Sequence, residues 1–511
     1  MLLLRYYLFA ALAVVILCWP LSYLISWFWH KRRVTKFTQN LPVIDDYPLL
    51  GCALRFLGKN NTEIMEVIEK AFGEREMPFL AWLGPKCFII IDHPDDIQIV
   101  MNSKGCIDKS DVFRFFNRGV GLFAAPAHIW KPQRKQLAMS FNNQICWSFL
   151  PIFNQKANVF VQNIGDHVGK GGFDMLKYSA ACTLDIVLES VLGTAMNIQT
   201  GENMHYMKAL TDWLSVVACR MCNVFLHPDI IYKQTQLYQI ESNALARSDA
   251  MQEKLILKKM EEFDDSNNND MDDEDEDTQF ETPQIFIERL IKLRNRGIIT
   301  DQEIRDQVHL IIFAGQDTSS YTIAMTILML AMHPKIEQRV MDELSSVFGD
   351  LPIDCDLTMD HVNKLSYLEQ VIKETLRIYP VAPLLLRHCT EDTPLANFVI
   401  PKDTEVIVSC FTGHRRKDIW GEDADEFNPD HFSKELSSKR NPFAFMAFSN
   451  GPRNCLGRRF AFISIKTILA KLLRKYRFST HLGREDLKFR MEITNKPICG
   501  IVLEIEERIS G

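Results

Sequence analysis

The chain has 511 residues, of which 47% are hydrophobic and 10% aromatic, and its formal net charge is −7. That length and composition describe a globular chain with a large core and exclude a collagenous or fully disordered one; one acidic run dominates the net charge, and no nucleic-acid partner is expected. Thirteen cysteines are scattered without a disulfide framework, which predicts a reducing compartment.

The first element is an uncharged run, Tyr6 to Trp29, followed at once by "HKRR". It is long enough to cross a hydrocarbon core of about 30 Å. The cations follow the apolar run, which favours an uncleaved anchor over a signal peptide and places the rest of the chain in the cytoplasm. Residues 1–33 are therefore read as a membrane anchor, 34–52 as a proline-containing linker, and 53–511 as one catalytic domain. "PFLAWLGPKCFIIID" predicts a β-hairpin around Gly84-Pro85-Lys86. Helical periodicity dominates from about 93 to 250. Cys219 and Cys222 have CxxC spacing but no second pair, so they read as buried thiols. "GVGLFA" at 119–124 loosely matches a dinucleotide fingerprint but lacks a βαβ setting. Residues 261–279, with their acidic run, read as a solvated, disordered loop.

Thr300 and Glu303 form a capping box that opens a helix running to about Met332. It is apolar all round, which predicts a central, buried helix, but "AGQDTSS" (314–320) interrupts it. "VNKLSYLEQVIKETLRIYP" predicts one further helix ending at Pro380, and "NFVIPKDTEVIVSC" a strand, a turn and a second strand. The fold class is mainly α with small β-sheets. Near the C-terminus "FSNGPRNCLG" (448–457) places Cys455 on a glycine-bearing loop feeding an amphipathic helix. Backbone N–H groups and the helix dipole there are expected to lower the thiol pKa. A dry thiolate suits a nucleophile or a metal ligand. The loop supplies no base, which tilts the reading toward an axial ligand of haem iron.

The spacing Phe448-x-x-Gly451-x-Arg453-x-Cys455-x-Gly457 resembles the haem-binding loop of the cytochromes P450. "ETLR" is similar to that family's Glu-x-x-Arg pair, here Glu374 and Arg377. "AGQDTS" resembles its oxygen-activating stretch, and "WKPQR" the segment that reaches the haem propionates. The resemblance runs from the anchor to about residue 505 and implies the P450 fold. Its site residues would be Cys455 as axial ligand of the haem (iron protoporphyrin IX) and Phe448, Arg453 and Gly457 around it. Trp130, Arg134 and Arg387 would lie at the propionates, Ala314 and Gly315 would form an opened turn over the iron, and Asp317 and Thr318 would form a proton relay. His431 stands where the family often has an arginine, completing a structural triad with Glu374 and Arg377. Ala314 replaces the glutamate that can attach covalently to haem, Gln316 replaces a common histidine, and Pro132 is expected to place the start of its helix near Trp130.

The resemblance is to arthropod-type members of the family 4 branch. It implies a monooxygenase of the endoplasmic reticulum membrane that inserts one atom of dioxygen into a hydrophobic substrate (lipid, hormone or xenobiotic). Electrons would come from NADPH through NADPH–cytochrome P450 reductase, with cytochrome b5 as a further partner. Arg453, Arg458, Arg459, Lys439 and Arg440 would form the basic docking patch. A reductase-independent isomerase or dehydratase and a non-catalytic haem sensor are the alternatives.

Overall fold

The computed structural model describes residues 22, 24–38, 41–44, 46–116, 121–267 and 285–508. Most of the apolar run at 6–29, and the acidic stretch from 268 onward, lie outside the described residues; residues 261–267, expected in a disordered loop, instead continue the helix Gln236–Asn267. Among the described residues no helix is long and apolar enough to cross a membrane. Residues 24–37 are helical, with Phe28 and Trp29 exposed. The basic end of that helix is docked: Arg33 donates to both oxygens of Asp392 at 2.7 and 2.8 Å, and Lys31 lies over the Trp27 and Trp82 rings. The linker reading also meets structure, because Val43–Ile44 pairs in parallel with Leu80–Ala81 at a sheet edge.

That sheet has five strands in the order Val43–Ile44, Phe79–Leu83, Lys86–Ile91, Thr404–Ser409, Leu384–Cys389. The expected hairpin is present, with Phe79 opposite Ile90 and Leu83 opposite Lys86. Gly51 explains a close approach nearby: its φ is +54°, and a Cβ would sit 2.0 Å from the Trp82 carbonyl oxygen. The two strands of "NFVIPKDTEVIVSC" form, but in different sheets. Val399–Ile400 pairs with Thr393–Pro394, whereas Thr404–Ser409 lies between Lys86–Ile91 and Leu384–Cys389.

The central helix is Asp301–Met332, 32 residues long and about 48 Å at 1.5 Å per residue. Its capping box is present: Thr300 Oγ1 accepts from Glu303 N, and Glu303 accepts from Thr300 N. It is buried from Ile304 to Leu330 almost without break, as a helix apolar on all sides must be. It packs against Met175–Leu192 on one side and against Ser366–Ile378 and Arg458–Lys475 on others. The helix expected to end at Pro380 is two helices, Met359–Lys364 and Ser366–Ile378. Leu365, at φ −76° and ψ 71°, leaves helical geometry between them. Thr358 with His361 caps the first N-terminus; Glu343, from the helix Pro334–Phe348, accepts from Tyr367 N and Leu368 N at the second. Pro132 also departs from expectation. Its helix runs Ala127–Leu137 and starts after Pro126, so Pro132 lies inside the helix rather than at its start.

Candidate functional site

Cys455 N donates to Phe448 O at 2.9 Å, closing the loop between them. The loop turns at Gly451, whose φ is +72° and whose Cβ would meet the Met101 carbonyl oxygen at 2.5 Å; only glycine fits. Gly457 then caps the helix Arg458–Lys475. Phe448 packs against Phe462 in a tilted ring pair, 5.2 Å between ring centres. Cys455 lies deep in the fold yet keeps accessible surface, so it faces an interior void. Gly457 borders open space as well, since a Cβ there would meet nothing within 4 Å. The thiol pKa goes the opposite way from the sequence expectation. Burial pushes it up, and the Gly457 N–H with Arg134, Arg458 and Lys109 only partly opposes this. Desolvation of the anion outweighs the helix N-terminus. A bound metal ion is what would hold the sulfur deprotonated.

Four cations cluster on this side of the loop: Lys109 and Arg134 act on the sulfur itself, and Arg387 and Arg453 lie close to Lys109. Arg453 lies over the Trp130 ring at 4.4 Å and donates from Nη2 to Ala125 O at 2.6 Å. Its Nε and Nη1 are buried without a partner. Arg134 donates to Asn454 Oδ1 at 2.6 Å, and Arg387 donates to Leu386 O at 3.0 Å and to Ser449 Oγ at 3.4 Å. Burial pulls Arg387 and Arg453 each down to about 10. The fourth cation, Lys109, escaped the sequence reading because a single lysine in "CIDKSD" has no spacing signal. Burial lowers its pKa strongly, and Arg387 and Arg453 add to the effect. Its Nζ lies 3.6 Å over the Phe123 ring. Buried cations that repel one another and include orphaned guanidinium N–H groups lack an anion.

The Glu374–Arg377 pair is fully buried, at 2.7 Å. Arg377 spends its remaining donors on the carbonyls of His414, Ala424 and Glu426. Glu374 Oε1 also accepts from Asn428 N at 2.8 Å and lies 3.0 Å from His431 Nδ1. His431 Nε2 faces Asp423 at 3.2 Å. His431 thus occupies the third corner of the triad. His414 extends the network: its Nδ1 is 3.1 Å from Arg377 O, and its Nε2 accepts from Met446 N at 2.9 Å. That joins the ion pair to the segment leading into the cysteine loop. Two members of the expected surface patch are drawn inward: Arg453 is buried, and Arg440 stacks on Trp420 at 3.9 Å and donates to His431 O. Arg458 and Arg459 remain exposed.

The central helix runs unbroken through 314–320 in place of the expected opened turn. Thr318 Oγ1 donates to Ala314 O at 2.7 Å, a back-bond typical of a mid-helix threonine. Gly315 faces the neighbouring helix: a Cβ would meet Val187 Cγ2 at 2.8 Å. Asp317 is engaged from the C-terminal hairpin. Thr494 Oγ1 donates to Asp317 Oδ2 at 2.6 Å, and Lys496 Nζ lies 3.2 Å from Oδ1. Lys496 also pairs with Glu492 at 3.0 Å, and Glu492 with Arg490 at 2.7 Å. These partners are about 175 residues from Asp317, and no local pattern in the sequence announces them. Beside Ala314 lies an aromatic wall of Phe113, Phe116, Phe123, Trp213 and Phe313, joined by Ile493.

A family model described as Cytochrome P450 matches residues 42–503. The chain belongs to the cytochrome P450 family. It is 32% identical to "Cytochrome P450 4c21" of Blattella germanica, covering 95% of this chain and 96% of that protein. It is 28% identical to "Cytochrome P450 4c3" of Drosophila melanogaster (98% and 95%) and 29% identical to "Cytochrome P450 4V2" of Homo sapiens (90% and 88%). Cytochromes P450 bind haem through a cysteine thiolate on iron and act generally as monooxygenases. The residues here fit that group. There is a sulfur with an open face, open space at Gly457, and a ring of cations with unpartnered N–H groups suited to two propionates.

Proposed function

We propose that this cytochrome P450 is a membrane-anchored haem-thiolate monooxygenase of a hydrophobic substrate, reduced by NADPH–cytochrome P450 reductase. The reading rests chiefly on the cation-ringed sulfur at Cys455, deep in the fold with one face open. Cys455 Sγ would hold the iron. Trp130, Arg134, Arg387, Arg453 and Lys109 would hold the propionates, and Phe448 would screen the sulfur from water. Haem, when bound, supplies the activation of dioxygen.

The chain's own residues do the rest. The aromatic wall beside Ala314 excludes water and offers an apolar bed for a C–H substrate. Thr318 Oγ1, whose proton rests on Ala314 O, would hand a proton toward the iron side of the helix. Asp317, held by Thr494 and Lys496, passes protons inward from the hairpin side. Glu374, Arg377, His431 and His414 position the cysteine loop without touching the reaction. Ala314 leaves no carboxylate there to attach to haem. The exposed Arg458 and Arg459, beside the loop, suit an acidic reductase, with cytochrome b5 as a second donor. Residues 1–33 would anchor the chain in the endoplasmic reticulum membrane, with 53–511 as the catalytic domain on the cytoplasmic side.

A carbon monoxide difference spectrum of the reduced, purified protein tests this. The long-wavelength Soret band of a thiolate-ligated haem is expected, and Cys455→Ser should lack it. A variant keeping the band would refute the assignment.

A further inference from the structure

Cys106 and Cys389 are 283 residues apart in the chain, yet their Sγ atoms are 2.7 Å apart. Both are buried and both are free thiols. Cys106 ends the short 3-10 turn Lys104–Cys106, and Cys389 ends the strand Leu384–Cys389. The two segments are already in register. His388 N donates to Asp108 O, and Thr390 N donates to Gly105 O, each at 2.8 Å. Gly105 permits this approach, since a Cβ there would lie 2.3 Å from Glu391 Cγ. The sulfurs therefore need only a small further approach to reach the bonded separation of about 2.05 Å.

We propose that Cys106 and Cys389 form a redox-active dithiol, closed by peroxide to a disulfide that ties the Lys109 turn to the Arg387 strand. Lys109 follows Cys106 by three residues, and Arg387 precedes Cys389 by two. Lys109 acts on the Cys455 sulfur, and Arg387 lies close enough to Lys109 to repel it. A covalent tie between their segments would hold the propionate cations in one arrangement. In a reducing compartment such a bond is a regulated state rather than a permanent staple. Cys106 is the attacking sulfur. The hydrogen bond with Cys389 lowers its thiol to about 7 against the cost of burial, and Thr393, Ser103 and Arg387 help, while Cys389 is pushed up.

The step balances with hydrogen peroxide as oxidant. The Cys106 thiolate attacks one peroxide oxygen, the O–O bond breaks, and a sulfenic acid and one water form. The Cys389 sulfur then attacks the sulfenic sulfur, the S–S bond forms, and a second water leaves. The two sulfurs together lose two electrons, peroxide gains them, and both thiol protons end in water.

The test uses the full-length, haem-loaded protein in detergent, treated with hydrogen peroxide, alkylated and digested with trypsin. Mass spectrometry should find residues 105–109 joined to residues 388–402, and dithiothreitol should separate them. Transfer of haem to an acceptor globin should be at least threefold slower after oxidation. Peroxide should have no such effect in Cys106→Ser or in Cys389→Ser; either variant suffices if the other folds poorly. Separate, alkylated peptides alongside oxidised Cys499 in the same sample would overturn the proposal. Joined peptides with unchanged haem transfer would overturn the locking of the cations.

Discussion

Replacing Lys496 with Met probes the hairpin's hold on the central helix. Lys496 Nζ lies 3.2 Å from Asp317 Oδ1 and 3.0 Å from Glu492, and all three side chains are nearly buried. At an effective dielectric of about 20, each contact is worth about 5 kcal/mol of gross attraction, offset by the desolvation of the ammonium. Removing the cation leaves two buried carboxylates; Thr494 still serves Asp317, and Arg490 still serves Glu492. The net loss expected is about 2–4 kcal/mol. Thr494→Val, which removes one hydrogen bond to a charged group, should cost about 1.5–3 kcal/mol. The assay is a double-mutant cycle in denaturant on the haem-loaded protein, pairing Lys496→Met with Asp317→Asn. The coupling energy should be about 2 kcal/mol, because neutralising Asp317 removes most of the penalty of losing Lys496. Additivity within about 0.5 kcal/mol would refute the argument that the hairpin holds Asp317 electrostatically.

Gly315→Ala should destabilise the protein by about 1–3 kcal/mol through its contact with Val187, and Val187→Ala should restore most of that in thermal unfolding. Arg453→Met should speed haem loss tenfold or more, while the haem-free protein changes by no more than about 1 kcal/mol, because the substitution removes one hydrogen bond to Ala125 O but also relieves a repelling cation. Burial drops the His414 pKa to about 3 from an ordinary value of 6.5. The unfolded chain therefore binds this proton first as pH falls, and stability should decline from pH 6.5 downward toward 3, by less in His414→Gln when followed by urea unfolding at each pH.

The local signals in the sequence were strong where chemistry constrains neighbouring residues. The Thr300–Glu303 box, the hairpin at Gly84-Pro85, the glycines framing Cys455 and the i,i+3 pair of Glu374 and Arg377 are short-range patterns, and each appears in the structure as read. Patterns also misled where tertiary packing competed with local propensity. Leu365 breaks a helix that periodicity had run together, Pro132 is tolerated in mid-helix, and Gly315 serves a close helix contact rather than a groove.

The sequence by itself determined the class of protein, a mainly helical chain with one thiol set apart by its loop, because turn glycines, caps and a cysteine framed by them act over a few residues. Only the tertiary structure decided the surroundings of that thiol. Lys109 beside Arg387 and Arg453, the Thr494–Lys496 grip on Asp317, His414 between Arg377 and Met446, and the meeting of Cys106 with Cys389 all join segments tens to hundreds of residues apart. The same holds for the direction of the Cys455 pKa. The helix N-terminus visible in the sequence favours the anion, but the depth of burial, a property of the whole fold, outweighs it.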